Sequence, residues 1–258
     1  MLVTGAAHRL GREIALELAR HGFDVAIHYR TSADGAAETV AKARAFRAQA
    51  WAFGADLSDE AACRALVPAV VTRCGRLDAV VNNASTFEYD DAASFSYAAM
   101  NAHWRANTAP AIVLAQALHA HLEQRAADEV PRGGCVVNLL DQKLWNPNPD
   151  YLSYTLSKAA LEAATTLLAQ ALAPRLRICG VAPGVTLPSG PMTAAEFGKA
   201  RVSTPLARSS QPADIARAVR FLIESPAITG TTLLVDGGQH LQAQSRDVMF
   251  LARQNLNV

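Results

Sequence analysis

Short apolar runs alternate along this chain with longer amphipathic stretches. The apolar runs predict seven strands, at residues 1–3, 24–29, 50–55, 77–82, 134–140, 177–181 and 231–235. The amphipathic stretches predict helices at residues 12–21, 36–47, 59–74, 100–125, 152–172 and 211–224. Strands that alternate with helices in this way are typical of βαβ units around a parallel sheet. We therefore predict an α/β fold in one domain over residues 1–258, a Rossmann-type doubly wound parallel sheet of about seven strands with helices on both faces.

Three segments do not follow this pattern. The run Asn146-Pro147-Asn148-Pro149 cannot extend a helix and predicts a rigid turn. Glycine and proline are scattered over residues 185–204, which favours a substrate loop or lid after the sixth strand, with a plain surface crossover as the alternative. The tail, residues 242–258, holds four adjacent apolar residues at 248–251, so we expect it to pack at a subunit interface rather than float free.

Composition excludes several classes of protein. The 258 residues are 50% hydrophobic and 18% charged with a net charge of +1, so a nucleic-acid partner is not expected. No apolar run is long enough for a membrane span, and we expect a cytoplasmic protein. The four cysteines lack metal-ligand spacing, which predicts buried free thiols and no metal site.

A glycine-rich loop joins the first strand to the first helix. It reads Thr4-Gly5-Ala6-Ala7-His8-Arg9-Leu10-Gly11. Glycines permit a tight turn and close approach to a pyrophosphate, which the following helix N-terminus attracts. Arg9 stands in the middle of the loop, where a guanidinium beside phosphates is favourable; an exposed arginine without a ligand is the alternative. The loop predicts a dinucleotide site that includes Gly5, Arg9, Leu10 and Gly11.

The end of the second strand indicates which nicotinamide cofactor is bound. NAD sites usually carry an acid there for the ribose 2′-hydroxyl. This chain instead reads His28-Tyr29-Arg30-Thr31-Ser32, with no acid before Asp34. An arginine beside two hydroxyls suits a 2′-phosphate, so we predict NADPH.

The third and fourth strands also end in polar residues. Asp56-Leu57 follows one and Asn82-Asn83-Ala84-Ser85 the other, at the edge where open α/β sheets bind ligands. Helix capping and turn formation are the alternatives for each residue alone. Together with the glycine loop they favour cofactor contacts from Asp56, Leu57, Asn83, Ala84 and Ser85.

The strongest chemical signal is a tyrosine followed four residues later by a lysine. Tyr154 and Lys158 share one face of a predicted helix. An ammonium group near a phenol is expected to lower the phenol's pKa and so make it useful for proton transfer near pH 7. Asp141 lies 13 residues before Tyr154 and adds a carboxylate to the same site.

These residues together resemble the short-chain dehydrogenase/reductase family, from Thr4 to about His240. The matching pieces, in family order and spacing, are Thr4-Gly5 to Gly11, Asn82-Asn83-Ala84, Asn107, Tyr154-x-x-x-Lys158, Pro183-Gly184 and Asp236-Gly237-Gly238. The chain departs from the common pattern at Asp141, where a serine is usual, and at Arg9, where a glycine is usual. Both departures, with Phe87 in Asn83-Ala84-Ser85-x-Phe87, resemble the pteridine reductase branch.

The resemblance implies a homotetrameric, NADPH-dependent reductase of a small pterin or folate. Asp141 and Tyr154 would deliver a proton. Lys158 would hold the nicotinamide ribose, and Asn107 would support Lys158 through water. The resemblance also implies cofactor contacts from Pro183, Gly184 and Val185, and substrate contacts from Arg9, Ser85, Phe87, Asp141 and Tyr154.

Two other functions stay open at this stage. A ketone or alcohol oxidoreductase of the same family would act on a ketoacyl or sugar substrate, although an ionised Asp141 would repel a developing oxyanion. A non-catalytic NADPH-binding regulator would leave Tyr154 and Lys158 unexplained. For single residues, Trp145 either walls the pocket or packs, and His103, His119 and His121 are expected to be structural rather than metal ligands.

Overall fold

The structure is a computed structural model that describes residues 1–125, 133–188 and 192–254. One parallel sheet contains the strands β1 (Leu2–Val3), β2 (Val25–Tyr29), β3 (Ala50–Gly54), β4 (Ala79–Asn82), β5 (Gly134–Leu139), β6 (Leu176–Pro183) and β7 (Thr232–Val235). Their order across the sheet is β3-β2-β1-β4-β5-β6-β7. The order reverses between β1 and β4, which creates the crevice where ligands of doubly wound sheets bind. The predicted single-domain, seven-stranded fold is confirmed.

Helices connect and cover these strands. They are α1 (Arg9–Arg20), α2 (Ala33–Arg44), α3 (Glu60–Cys74), α4 (Tyr97–His103), α5 (Ala109–Glu123), α6 (Leu152–Ala171), α7 (Ala194–Val202), α8 (Pro212–Glu224) and α9 (Val248–Gln254). Buried residues of α1, α2 and α8 form one core with the sheet, and those of α3, α5 and α6 form a second core on the other face. The cores alternate along each strand: Val80 points to one, and Ala79 and Val81 to the other.

Two predictions about helices were wrong in detail. The helix predicted at residues 100–125 is divided into α4 and α5 by one π-helical turn, Trp104–Thr108. The irregular segment predicted at 185–204 contains α7, which begins with a reciprocal capping box between Thr193 and Glu196. That Thr-x-x-Glu spacing was a readable start signal.

The C-terminal tail folds back onto its own chain. Its helix α9 contacts α7, and Met249 and Ala252 are buried. Met249 packs against Tyr151 and Tyr154, beside the catalytic candidates. Residues 255–258 lie outside the described ranges. Docking of the tail on a neighbouring subunit stays a prediction.

The sequence also led to predictions about cysteines, metal sites and membrane-spanning helices. Cys63, Cys135 and Cys179 are buried free thiols, and Cys74 is a half-buried one. Within residues 1–125, 133–188 and 192–254, no group of three His, Cys, Asp or Glu side chains is placed to hold a metal ion. No helix in those same ranges has the length and apolar character needed to cross a membrane.

Candidate active site

A cleft of ≈ 450 Å³ opens at the carboxyl ends of the strands. It is lined by Arg9, Leu10, Asn83, Ser85, Phe87, Leu139, Leu140, Asp141, Tyr154, Lys158 and residues 183–188. The glycine loop, the end of β4, the end of β5, α6 and the segment after β6 all contribute. The cleft therefore brings together residues from five separate parts of the sequence, most of which the sequence had already singled out.

Glycine at two positions lets the loop pack closely against its own backbone and against the residues after β4. Gly5 has φ +63°, and a Cβ on Gly11 would lie 2.4 Å from the Gly5 carbonyl oxygen. Arg9 also has a positive φ, of 52°. Left-handed backbone is strained for an arginine and easy for glycine, which explains why glycine is usual at this position. In this chain the position carries a guanidinium into the cleft at some conformational cost.

Two side chains tie the glycine loop to β4. The Thr4 hydroxyl oxygen accepts hydrogen bonds from the backbone N–H groups of Asn83 (2.9 Å) and Ala84 (3.0 Å). The Asn83 side-chain amide donates to the Thr4 carbonyl at 2.9 Å. Asn83 and Ala84 therefore fix the loop, and Asn83 also lines the cleft. Thr4 was quoted in the loop motif but not singled out as a site residue.

His28 supports the loop from behind. Its Nδ1 accepts from the Gly5 N–H at 3.1 Å and its Nε2 lies 3.0 Å from the Ala55 carbonyl, which fits one neutral tautomer with the proton on Nε2. Burial lowers the pKa of His28, in keeping with that neutral form. Tyr29 packs beside Gly54. His28 thus belongs to the scaffold under the loop, and direct contacts of His28 and Tyr29 with the cofactor stay a prediction.

The residues predicted to bind the 2′-phosphate are exposed or half-buried. Arg30 and Thr31 are exposed, and Ser32 is half-buried beside α2. The Ser32 hydroxyl contacts His8 Nε2 at 2.5 Å. His8 was missed as a site residue. It shares the glycine loop with Arg9, and its position there was the available signal.

Asp56 and Leu57 lie at the edge of the cofactor region. The Asp56 carboxylate accepts hydrogen bonds from the Ser58 N–H (2.9 Å) and hydroxyl (2.7 Å), and these bonds lower its pKa. Leu57 is buried in the core between α3 and α5. The turn-forming alternative for Asp56 is therefore realised, and a cofactor contact stays a prediction.

Asp141, Tyr154 and Lys158 meet on the floor of the cleft. The Tyr154 hydroxyl donates to Asp141 Oδ2 at 2.9 Å, and Asp141 Oδ1 accepts from the Lys143 backbone N–H at 2.9 Å. Lys158 Nζ donates to the Leu139 carbonyl at 2.7 Å and lies 5.8 Å from the centre of the Tyr154 ring. The predicted cluster is thus assembled from the end of β5 and one face of α6.

The direction of the Tyr154 shift was predicted wrongly. Burial first, and the charge of Asp141 second, hold the pKa of Tyr154 well above its usual range. Burial also raises the pKa of Asp141 and lowers that of Lys158 to about 8. The ammonium 5.8 Å from the ring does not offset the closer carboxyl group. Tyr154 is therefore a neutral proton donor here, next to a carboxyl group that keeps its proton to unusually high pH.

Asn107 lies on the π-helical turn and positions its neighbours. Its Oδ1 accepts from the Thr86 N–H (2.7 Å) and the Ser85 hydroxyl (3.1 Å). Its Nδ2 donates to the Thr86 carbonyl (3.0 Å) and to the Ser157 hydroxyl (2.9 Å). Asn107 thus joins the β4 loop to α6 one residue before Lys158. The π-turn, a feature often found at functional sites, supplies that reach.

Phe87 forms part of an aromatic group at the mouth of the cleft. Its ring stacks on Tyr151 with centroids 4.1 Å apart and meets the Tyr154 ring edge-on at 4.7 Å. Phe87 is 38% exposed, whereas Tyr151 is only 4% exposed. The ring could therefore stack on a flat substrate while Tyr151 holds it. The sequence analysis missed Tyr151, which has φ +57° and precedes α6.

The segment after β6 closes one side of the cleft. Pro183, Gly184 and Val185 line it, and their contacts with the cofactor stay a prediction. Arg9 Nη2 donates to the Pro188 carbonyl at 2.7 Å, so this segment crosses to the glycine loop. Residues 189–191 of the expected lid lie outside the described ranges.

Four other described residues considered in the sequence do not line the cleft. Trp145 is 39% exposed, and it is not among the described residues that line the cleft. His103 is buried and accepts from the Glu88 N–H at 3.3 Å. His121 Nε2 accepts from the Leu77 N–H at 3.4 Å, and His119 lies 3.9 Å from the Glu123 carboxylate.

The empty space and the donor groups fit a dinucleotide. Gly5 and Gly11 allow a tight loop whose neighbours leave no room for a Cβ, and the first turn of α1 offers backbone N–H groups to a pyrophosphate. Arg9 places a cation beside that turn, and Arg30 places a second one beside the end of β2. Lys158 has the reach to hold a ribose hydroxyl at the other end of the cleft.

Comparisons with known proteins agree with this arrangement. Residues 5–240 match the family model described as enoyl-(acyl carrier protein) reductase, one of the short-chain dehydrogenase/reductase models. The crystal structure of FolM alternative dihydrofolate reductase 1 from Brucella canis, complexed with NADP, is 38% identical, with a TM-score of 0.88 and 95% of each chain covered. Pteridine reductase 1 from Leishmania tarentolae is 32% identical over 93% of this chain and 96% of its own. The 3-oxoacyl-[acyl-carrier-protein] reductase FabG from Staphylococcus aureus is 30% identical over 93% of this chain and 97% of its own.

Proposed function

This chain belongs to the short-chain dehydrogenase/reductase family, and we propose that it reduces a 7,8-dihydropterin to the tetrahydro form with NADPH. It is an oxidoreductase, and its cofactor is NADP(H), the cofactor bound in two structures that resemble it at 38% and 37% identity. The cofactor prediction is therefore confirmed. Substrates of the dihydromonapterin or dihydrobiopterin type, with dihydrofolate as a further candidate, belong to the proposal.

The observation that carries the proposal is a proton-storing pair in the cleft that contains Phe87 and Arg9. The Tyr154 hydroxyl and the Asp141 carboxyl group share a hydrogen bond of 2.9 Å, and each has a raised pKa. The site can therefore store protons at the point where α6 faces the cleft. Reduction of a dihydropterin requires a proton at ring nitrogen N5 for each hydride received at C6. A protonated carboxyl group beside a neutral phenol suits that demand.

The reaction divides into hydride supply and proton delivery. NADPH, when bound, supplies the hydride. Tyr154 donates the proton to N5, directly or through Asp141, and Asp141 replaces the proton that Tyr154 loses. Lys158 holds the ribose end of the cleft and carries a positive charge below about pH 8. The reaction balances in atoms and charge, because one hydride and one proton saturate the C6–N5 double bond.

Two side chains would hold the flat ring in place. Phe87 presents an aromatic face 38% exposed at the cleft mouth, and stacked aromatic rings gain about 0.5–1.5 kcal/mol beyond burial. Arg9 lines the same cleft. Ser85 lines the wall next to Phe87 and is held by Asn107. Together these residues favour a planar, nitrogen-rich substrate over a flexible chain.

A ketone substrate is the second candidate, because the FabG relative aligns over 93% of this chain. An ionised Asp141 would repel the oxyanion that forms from a ketone. Burial raises the pKa of Asp141, however, and a protonated carboxyl group can donate to a ketone oxygen. What favours the pterin is the combination of Asp141 with Phe87 and Arg9.

A substrate panel tests the proposal. Purified protein is mixed with NADPH and, separately, with dihydromonapterin, dihydrobiopterin, dihydrofolate, a ketoacyl thioester and a simple sugar ketone. We expect turnover of a dihydropterin to exceed that of both ketones by at least about tenfold in kcat/KM. Faster turnover of a ketone would refute the pterin assignment while leaving the family and cofactor unchanged. The homotetramer and the cytoplasmic location stay predictions.

A further inference from the structure

The C-terminal segment, defined as Arg246–Phe250, is fastened to the loop before α6 by charged groups. Arg246 donates three hydrogen bonds of 2.8–3.0 Å to the Asp150 carboxylate. The Asp247 backbone N–H donates to the same carboxylate at 2.7 Å. A forked guanidinium–carboxylate contact is among the stronger and more directional pairs in proteins. The segment is therefore held at a fixed place beside the active site.

A buried lysine connects this segment to Asp141. Lys143 is 3% exposed, and its Nζ donates to the Asp150 carbonyl at 2.5 Å. The same Nζ lies 3.5 Å from Asp247 Oδ2. Its backbone N–H donates to Asp141 Oδ1 at 2.9 Å. A buried ammonium group is costly unless a carboxylate compensates it, and Asp247 is the carboxylate that forms an ion pair with it here.

The segment also reaches the aromatic group. Met249 is 5% exposed and packs with Tyr151 and Tyr154. The Tyr151 hydroxyl points to Met249 Sδ at 3.9 Å, and Lys143 Nζ lies 5.4 Å from the centre of the Tyr151 ring. Tyr151 in turn stacks on Phe87. Charge and packing from the tail thus converge on the residues that hold the proton and the substrate.

We propose that Asp247 is a positioning residue for proton delivery. Its ion pair with Lys143 compensates the positive charge that Lys143 would otherwise exert on the Asp141–Tyr154 pair. The C-terminal segment is then a working part of the active site and not a spare end of the chain. The inference concerns Asp141 and Tyr154 in the free protein. It does not depend on which substrate is reduced.

The charges around Asp141 set the expected direction. Tyr154 and Lys158 face it from α6, Lys143 from its own loop and Asp247 from the tail. Burial is the largest cause that raises the pKa of Asp141; the charge of Asp247 raises it further, and the charge of Lys143 lowers it. Removing Asp247 takes away the ion-pair partner of Lys143, so Asp141 should lose its proton at lower pH. Removing Lys143 should have the opposite effect.

Carbon-13 NMR of selectively labelled aspartate carboxyl groups tests this in the free protein, with Asp141→Asn used to assign the Asp141 signal. We expect the titration midpoint of Asp141 to fall by about 0.5–1 pH unit in Asp247→Asn and to rise by a similar amount in Lys143→Met. In the double variant it should return close to the wild-type value. Glu224→Gln, which neutralises a distant acid paired with Arg220, should not move it.

An unchanged midpoint in the folded Asp247→Asn protein would overturn the proposal, and so would a double variant that behaves like Asp247→Asn alone. If Asp247→Asn does not fold, Lys143→Met decides by its opposite shift. A kinetic readout follows on whichever substrate the wild type reduces fastest. The basic limb of kcat should move with the Asp141 midpoint, while the dissociation constant of NADPH stays within about twofold. Failure of the pterin assignment would show in the substrate panel and not in these titrations.

Discussion

The two ends of the cleft are built in different ways. At the nucleotide end, Gly5, Gly11, Thr4 and Asn83 shape a backbone cradle with short, local or strand-to-strand hydrogen bonds. At the proton-delivery end, Asp141, Tyr154 and Lys158 are buried titratable groups, and Lys143 and Asp247 adjust their surroundings from other segments. The first end depends on shape and the second on charge. The shape of the first end follows from a short motif and its contacts with the end of β4, whereas the charge on a buried group depends on the whole fold around it.

The largest effect is expected at the proton donor. Tyr154→Phe removes the hydroxyl that donates to Asp141 but keeps the ring that meets Phe87. We expect kcat to fall at least about 100-fold, the usual scale of general acid catalysis. The dissociation constant of NADPH, measured by fluorescence titration, should stay within about threefold. Near-normal turnover would show that the proton comes from elsewhere.

The shape of the nucleotide end can be broken by one methyl group. Gly11→Ala places a Cβ 2.4 Å from the Gly5 carbonyl oxygen, so the loop must shift. NADPH affinity should drop at least about tenfold, because the backbone can no longer approach the pyrophosphate. Gly198→Ala is the matched control, since nothing lies within 4 Å of its added Cβ. Equal affinities in both variants would contradict the cradle.

The cofactor's 2′-phosphate provides a test of charge at the nucleotide end. Arg30 is exposed beside the end of β2. Arg30→Ala should raise KM for NADPH by about tenfold, since a hydrogen bond to a charged group contributes about 1.5–3 kcal/mol. KM for NADH should change little. Arg64→Ala, which removes an arginine from an exposed ion pair on α3, serves as the control. Equal changes for the two cofactors in Arg30→Ala would exclude the predicted role.

The smallest expected effect is a dependence of cofactor binding on pH. Burial lowers the pKa of Lys158 to about 8, so its positive charge is present below that pH and is lost as pH rises through it. NADPH affinity, followed by fluorescence titration, should weaken several-fold between about pH 7 and 9. Lys158→Met should remove that step. A wild-type affinity that stays constant up to about pH 10 would show that Lys158 keeps its ordinary pKa.

The nucleotide end was predictable because its signals are local. A glycine loop between a strand and a helix, and an arginine where an acid is usual, carry their physical meaning within a few residues. The seven strands followed from alternating apolar and amphipathic stretches for the same reason. His8 and Thr4 were the exceptions at this end. Both lie inside the glycine-loop motif, but neither was predicted as a site residue.

The proton-delivery end was predictable in its three catalytic candidates, but not in its electrostatics or its supporting residues. The spacing of Asp141, Tyr154 and Lys158 placed them together correctly. The direction of the Tyr154 pKa shift could not be read from spacing, because it depends on burial and on which charge lies closer. Lys143, Tyr151 and Asp247 were missed, since their contacts span up to about a hundred residues of sequence and no local pattern marks them.

The central claim is that Asp141 serves proton delivery to a pterin, and a comparison of two substrates in one variant tests it most directly. In Asp141→Ser, kcat/KM is measured for the preferred dihydropterin and for a ketoacyl thioester, each relative to wild type. The account predicts that the dihydropterin-to-ketone ratio falls at least about tenfold, because the serine can still donate to a ketone oxygen but cannot store a proton for N5. A ratio that does not change would contradict it.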